Sequence, residues 1–151
     1  MTAADCLLLD VQIFDTDCYG VMWHGAYTKW LEMARVAYLK RRGVLLSKPG
    51  EPDGLVYPVV AQQFAFRSPA RMADVLALET TLAIEGRKLL FSQTFRQQDT
   101  GRAPEAPPIA APSRVVMEAL TTCVILDSRW KPLRRLPDDL LEKLTAPPPV
   151  A

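Results

Sequence analysis

A chain of 151 residues with 18 basic and 17 acidic side chains, net charge +1, has no overall field to hold it on nucleic acid or an anionic membrane. Its three cysteines, Cys6, Cys18 and Cys123, are odd in number and unpaired in spacing, which argues against a disulfide framework or zinc site and for a reducing, cytoplasmic setting. No apolar run approaches the ~20 residues that span a bilayer, no signal peptide is evident at the N-terminus, and residues 1–151 read as one compact domain.

In chain order, Leu7–Phe14 is an apolar run broken by Asp10 and Gln12, two apart, as in a half-buried strand. A polar turn follows, with Asp15, Asp17, Gly20 and the only histidine, His24. Tyr27, Trp30, Leu31, Ala34 and Tyr38 then recur at helical spacing and predict a helix from Gly25 or Ala26 to about Arg42, with Gly43 as its stop. That helix is more apolar than a simple surface helix, as expected if a sheet wraps around it.

Residues 45–56 contain Pro49, Gly50, Pro52 and Gly54 and read as a loop. Tyr57–Arg67 predicts a strand with Val60, Gln62, Phe64 and Phe66 on one side. After a turn at 68–74, Val75–Glu85 alternates, with Leu76, Leu78, Leu82 and Ile84 facing one way and Thr80 among them. Gly86-Arg87-Lys88 makes a tight connection to a strand Leu89–Gln98. Val115–Leu126, apolar on both faces, should be central in the sheet. Between these two strands the Pro/Ala-rich stretch Asp99–Arg114 cannot pair and reads as a loop insert at about 101–113. A short helix, Asp138–Leu144, follows Pro137.

The turn at 15–24 carries the chemistry. A carboxylate aimed at a helix start is useful because the free N–H groups of the first turn hold an oxyanion. The same residues have a plainer reading, since Asp caps turns and a lone His beside Gly is often a solvated loop residue.

The run Asp15-Thr16-Asp17, then Gly20-Val21, Trp23-His24 and Tyr27 with a long helix behind it, resembles the active-site segment of the 4-hydroxybenzoyl-CoA thioesterase group of hot-dog fold acyl-CoA thioesterases. Phe66-Arg67-Ser68-Pro69-Ala70-Arg71 with Asp74, and Arg134-Arg135-Leu136-Pro137, extend the resemblance over most of the chain except the proline insert. It implies an α+β hot-dog fold, an antiparallel five-stranded sheet around one long central helix. It implies an acyl-CoA thioesterase, with hydroxybenzoyl or 1,4-dihydroxy-2-naphthoyl among the family's acyl groups.

By the resemblance, the catalytic carboxylate falls on Asp17, the oxyanion donor on the backbone N–H at or next to His24, hence Gly25, and the family's tyrosine on Tyr27. Asp17 would act as nucleophile or as general base on water; the residues leave both open. His24 is a candidate for orienting the reactants, and Asp15 for holding the turn. Trp23, with Trp30 and Phe64, would shape an acyl pocket, though such aromatics serve equally as core. Arg87 and Lys88 match the region where the family holds the nucleotide end of CoA, and as a hairpin turn they would also be solvated in any protein.

No metal or other cofactor is expected, for there is no ligand cluster or glycine-rich dinucleotide loop. The open sheet edge implies a homo-oligomer, a dimer or homotetramer. Two other readings of the fold are a hydratase or dehydratase, which uses a differently placed His, and an acyl-CoA sensor, which normally carries a DNA-binding extension.

Overall fold

The computed structural model describes residues 4–44, 46–47, 51, 54–98 and 114–147. The proline-rich insert at 101–113 lies outside these residues.

The elements in order are β1 (Asp5–Asp10), α1 (His24–Arg41), β2 (Leu55–Val56), β3 (Val59–Phe66), β4 (Val75–Glu85), β5 (Lys88–Gln97), β6 (Arg114–Val124), β7 (Leu126–Asp127) and α2 (Asp138–Thr145). Five strands form one antiparallel sheet in the order β1-β4-β5-β6-β3, while β2 and β7 make a separate pair. Helix α1 lies against the inner face of the sheet, the arrangement that the resemblance implies.

The alternation in β4 decides which face is inner. Leu76, Leu78, Thr80 and Leu82 are buried against the helix, as their spacing predicted. The hairpin to β5 is as tight as expected, with Glu85 paired directly to Lys88. On β3, Phe66, Phe64 and Gln62 stand opposite Met117, Ala119 and Thr121, so these side chains share the inner face. Phe64, Phe66 and Val60 nevertheless remain exposed, because β3 is the sheet edge and the helix does not cover it.

Three expectations need correction. The first strand does not run to Phe14: Val11 N–H donates to Asp74 O at 2.9 Å, and residues Ile13–Asp15 wind into a single 3-10 turn with Ile13 and Phe14 exposed. The last long strand stops at Val124, and it lies inside the sheet between β5 and β3, with β5 in the middle. The short pair β2 and β7 was not expected, since two-residue strands carry no periodicity to read.

The core has two apolar clusters. One, around Leu9, Met22, Tyr27, Leu31, Leu76, Leu78 and Phe95, lies under the first half of α1. The other, around Tyr38, Leu82, Leu89, Phe91, Ile125, Leu140 and Leu144, packs α2 onto the far end of the sheet. Between them runs a buried polar layer of Arg35, Thr80, Gln93 and Thr121. Arg35 Nη1 donates to Gln93 Oε1 at 3.3 Å and Thr121 Oγ1 at 3.4 Å, and Gln93 Nε2 donates to Leu31 O at 3.1 Å. Glu32, at the surface, pairs with the same guanidinium.

A second buried pair ties the end of α1 to β1. Arg42 meets Asp5 with two parallel hydrogen bonds of 3.1 Å and lies over the Tyr38 ring, 3.5 Å from its centroid. Removing one member of such a pair strands a charge in the interior. Asp5→Ala should therefore cost about 3 kcal/mol and lower the thermal midpoint by about 10 °C, whereas adding Arg42→Met should recover most of that loss. Calorimetry on the two variants is the check.

Candidate active site

The turn after β1 is built from two aspartates with different surroundings. Asp15 is 1% exposed; its Oδ2 accepts the Gln12 N–H at 3.0 Å, and its main-chain oxygen accepts the Trp23 N–H at 3.0 Å. It fastens the 3-10 turn to the start of the helix. Thr16 then pairs with Met22 in an antiparallel bridge, so the chain doubles back on itself between them.

Asp17 stands in that small hairpin. Its N–H donates to Val21 O at 2.9 Å, and Gly20 N–H closes the turn onto Asp17 O at 3.0 Å. Gly20 has φ +70°, a conformation that a side chain would strain. The Asp17 carboxylate is exposed and is held by one oxygen only: Oδ1 accepts Tyr19 N–H at 2.8 Å and Val21 N–H at 3.4 Å. Its Oδ2 has no hydrogen bond among the described residues. The carboxylate is thus aimed by two amides, with one oxygen left for a reactant.

Helix α1 begins at His24, one residue earlier than the spacing suggested, with Trp23 as an N-cap whose side chain makes no capping bond. No acidic residue occupies the first turn. Ala26 N–H reaches back to Trp23 O at 3.0 Å, while the N–H groups of His24 and Gly25 have no partner among the described residues. Two donors at the positive end of a helix dipole are therefore uncommitted among the described residues.

Gly25 permits a close approach of the Trp23 ring. A Cβ at this position would lie 2.0 Å from Cζ3 of Trp23, so the indole rests over the backbone of the first turn. The exposed His24 imidazole meets that indole edge-on, 5.5 Å between centroids at 76°.

Tyr27 lies elsewhere. Its ring is in the core, edge to face with Phe66 at 5.5 Å and Phe95 at 5.2 Å. Burial pushes its hydroxyl up to about 12, with Asp74 adding and the Ala70 amide opposing, so it stays protonated at neutral pH. Trp30 packs partly against the first apolar cluster, and Phe64 is exposed on the β3 edge beside Phe66.

The cations expected at the nucleotide end are not beside Asp17. They lie past the end of β4, whose 11 residues span about 33 Å from the Asp17 end to the hairpin. There Arg87, Arg134 and Arg135 line a hollow of about 440 Å³ with Gly86, Leu136 and Asp138. Arg87 Nη1 is fixed on Leu133 O at 3.0 Å and Arg135 pairs with Asp138 at 3.0 Å; Lys88 is exposed in the hairpin and does not line the hollow. The structure thus adds Arg134 and Arg135 to this cluster. Their signal in the sequence was a basic doublet ahead of the last helix. Among the described residues no group of three or more His, Cys, Asp or Glu side chains could hold a metal ion.

The family model of the thioesterase-like superfamily matches residues 11–144. Among curated relatives, acyl-CoA thioesterase YbgC of Haemophilus influenzae is 30% identical over 80 residues, covering 52% of this chain and 59% of that protein. Its namesake in Helicobacter pylori is 31% identical over 96 residues, covering 62% and 68%. The matches take in between 51% and 76% of the curated relatives' own lengths. Among solved structures, a 1,4-dihydroxy-2-naphthoyl-CoA thioesterase from Synechocystis superposes with TM-score 0.75 at 18% identity, covering 94% of this chain and 96% of that one. The 4-hydroxybenzoyl-CoA thioesterase from Pseudomonas sp. strain CBS-3 gives TM-score 0.72 at 20% identity, covering 93% and 98%. With the hot-dog fold in place and the family matched across both the Asp17 turn and the far end of the sheet, the chain belongs to the thioesterase-like superfamily.

Proposed function

We propose that this protein hydrolyses the thioester of an acyl-CoA, with Asp17 as the reacting carboxylate and the first N–H groups of α1 as oxyanion donors. The observation that carries this reading is the pairing of the two features. Among the described residues, a carboxylate held by one oxygen and free on the other sits one short hairpin away from two unpartnered helix-start amides.

The chemistry follows from that placement. The thioester carbonyl, set against the His24 and Gly25 amides, gains stabilisation as charge develops on oxygen. In one course Asp17 Oδ2 bonds to the carbonyl carbon, the C–S bond breaks, CoA leaves as thiolate, and water then cleaves the mixed anhydride. In the other, Asp17 takes a proton from water, hydroxide adds to the carbon, and the tetrahedral species expels the thiolate. Both need the charge on Asp17. His24 has no carboxylate partner among the described residues, which disfavours a histidine-based hydratase and suits an orienting role.

An aromatic acyl group is the substrate class we favour. Several structurally similar proteins are named for aromatic acyl-CoAs, dihydroxynaphthoyl, hydroxybenzoyl and gentisyl among them. Trp23, partly exposed over Gly25, offers a ring against which such a group can stack. Arg87 and Lys88, with Arg134 and Arg135, would take the phosphates of the nucleotide end.

The distance between the two ends supports a dimer. Among the described residues strand β3 is an unpaired edge that exposes Val59, Val60, Phe64 and Phe66, and a second copy can continue the sheet there. A two-fold axis pairs the β3 strands antiparallel, so the hairpin end of one copy comes to the same end of the assembly as the Asp17 turn of the other. A homotetramer of two such dimers, in the cytoplasm, extends the same reading; the three free cysteines suit a reducing compartment.

Light scattering at micromolar concentration should give a dimer or tetramer, and Phe64→Lys should shift it toward monomer. A native protein that is wholly monomeric contradicts the shared-edge assembly. For the chemistry, Asp17→Asn should lower kcat at least ~10²-fold with fold and assembly intact. Asp15→Asn should lose less activity and more stability, and His24→Ala only a modest part of kcat because its backbone N–H persists. Thiol release from a panel of aromatic and aliphatic acyl-CoAs, read beside thermal unfolding, gives the rank order. Near-normal turnover in Asp17→Asn with a dead His24→Ala would refute the carboxylate assignment.

A further inference from the structure

Between β7 and α2 the chain makes a turn whose geometry the proposed reaction does not explain. Trp130 is a large aromatic residue in the left-handed region, φ +62°, and is 67% exposed. Bulky side chains rarely adopt this conformation, and it persists only where the surroundings impose it. Here they do. Asp127 Oδ1 accepts Arg129 N–H at 2.8 Å and Lys131 N–H at 2.9 Å, Trp130 N–H donates to Asp127 O at 2.9 Å, and Asp127 N–H donates to Lys131 O at 2.9 Å. A three-residue tip is thus clamped by one aspartate, and the indole is held out in water, where its burial stabilises nothing.

The hairpin that carries this tip is anchored at the cationic hollow. Leu126 bridges to Pro132, Leu133 N–H returns to Ile125 O at 3.5 Å, and Leu133 O is the oxygen that fixes Arg87. The turn and the hollow are therefore one connected piece of backbone. Arg129 and Lys131 flank Trp130 in sequence, and Arg134 and Arg135 of the hollow follow a few residues on. An exposed aromatic ring on the same short hairpin whose base holds Arg87 suits a ligand that carries both a planar ring and phosphates.

We propose that Trp130 is a stacking platform for the adenine base of the CoA nucleotide, while Arg87, Arg134 and Arg135 hold its phosphates. This rests on the acyl-CoA reading but adds a residue that holds the base. Stacking on an exposed indole is sequence-tolerant toward purines and depends on ring area, so Trp130→Phe retains part of it and smaller residues none. Trp130→Gly is the informative variant, because glycine accepts the left-handed backbone without strain. It removes the ring while leaving the turn at least as stable.

The test is a calorimetric titration of the full chain with CoA and, separately, with pantetheine, which lacks the nucleotide. Trp130→Gly should weaken CoA binding about 10-fold, with Trp130→Phe in between, an unchanged or raised thermal midpoint, and no effect on pantetheine. In turnover, KM for an acyl-CoA should rise by a similar factor at constant kcat, while an acyl-pantetheine should be hydrolysed as by the native chain. CoA binding that is equal in the native chain and Trp130→Gly overturns the proposal, as does an equal loss for pantetheine. Hydrolysis with an inert Trp130 would leave the thioesterase reading standing without the platform. Nucleotide binding through Trp130 without hydrolysis would leave the platform standing without the thioesterase.

Discussion

The position of α1 on the sheet depends on three hydrogen bonds in the middle of the core. Gln93 on β5 donates to the main-chain oxygen of Leu31, and Arg35 on the helix donates back to Gln93 and to Thr121 on β6. Apolar side chains alone would let a helix of this kind slide or rotate with little penalty, since one leucine contact replaces another. Polar groups at this depth cost free energy unless paired, so a helix shifted by a residue would leave an arginine and a glutamine unsatisfied. The layer holds the helix in one register and hence places its N-terminus.

That placement matters because the site has no rigid scaffold of its own beyond the turn. The helix start comes from one side, the hairpin with Asp17 from the other, and the bond from Trp23 N–H to Asp15 O joins them. The two aspartates, two residues apart, have divided the work. Asp15 is buried and satisfied within the turn; Asp17 is exposed and half committed. Trp23 contributes twice, as the residue whose amide completes the junction and as the ring lying over Gly25.

Much of this could be read from the residues alone, for stated reasons. The period-two pattern of 75–85 defined β4 to the residue, because a strand covered on one face by a helix must alternate. The helix was plain from its apolar spacing, and its start was misplaced by a single residue. The end of β1 was not legible: Leu7–Phe14 continues the alternation past Asp10, but the chain leaves the sheet where Val11 turns to Asp74, a contact 63 positions away in sequence that no local pattern encodes. The same holds for Tyr27, whose place in the motif says nothing about its ring lying between Phe66 and Phe95. Motif spacing also could not reveal that Asp17 and Arg87 fall at opposite ends of one strand. Trp130 had no signal at all, because a left-handed backbone at a tryptophan follows from the Asp127 clamp and from nothing in its own chemistry.

The same polar layer that sets the register also cuts the apolar interior in two. One part serves the turn and the first half of α1, while the other joins α2, β7's neighbours and the hairpin end. Apolar cooperativity is carried by continuous contact, so a seam of hydrogen bonds is a natural boundary for partial opening. The part with α2 and the hairpin can loosen to solvent exchange while Leu31, Leu76, Leu78 and Phe95, under the first half of α1, stay packed. A ligand gripping the hairpin end would then tighten that part of the molecule without reordering the other.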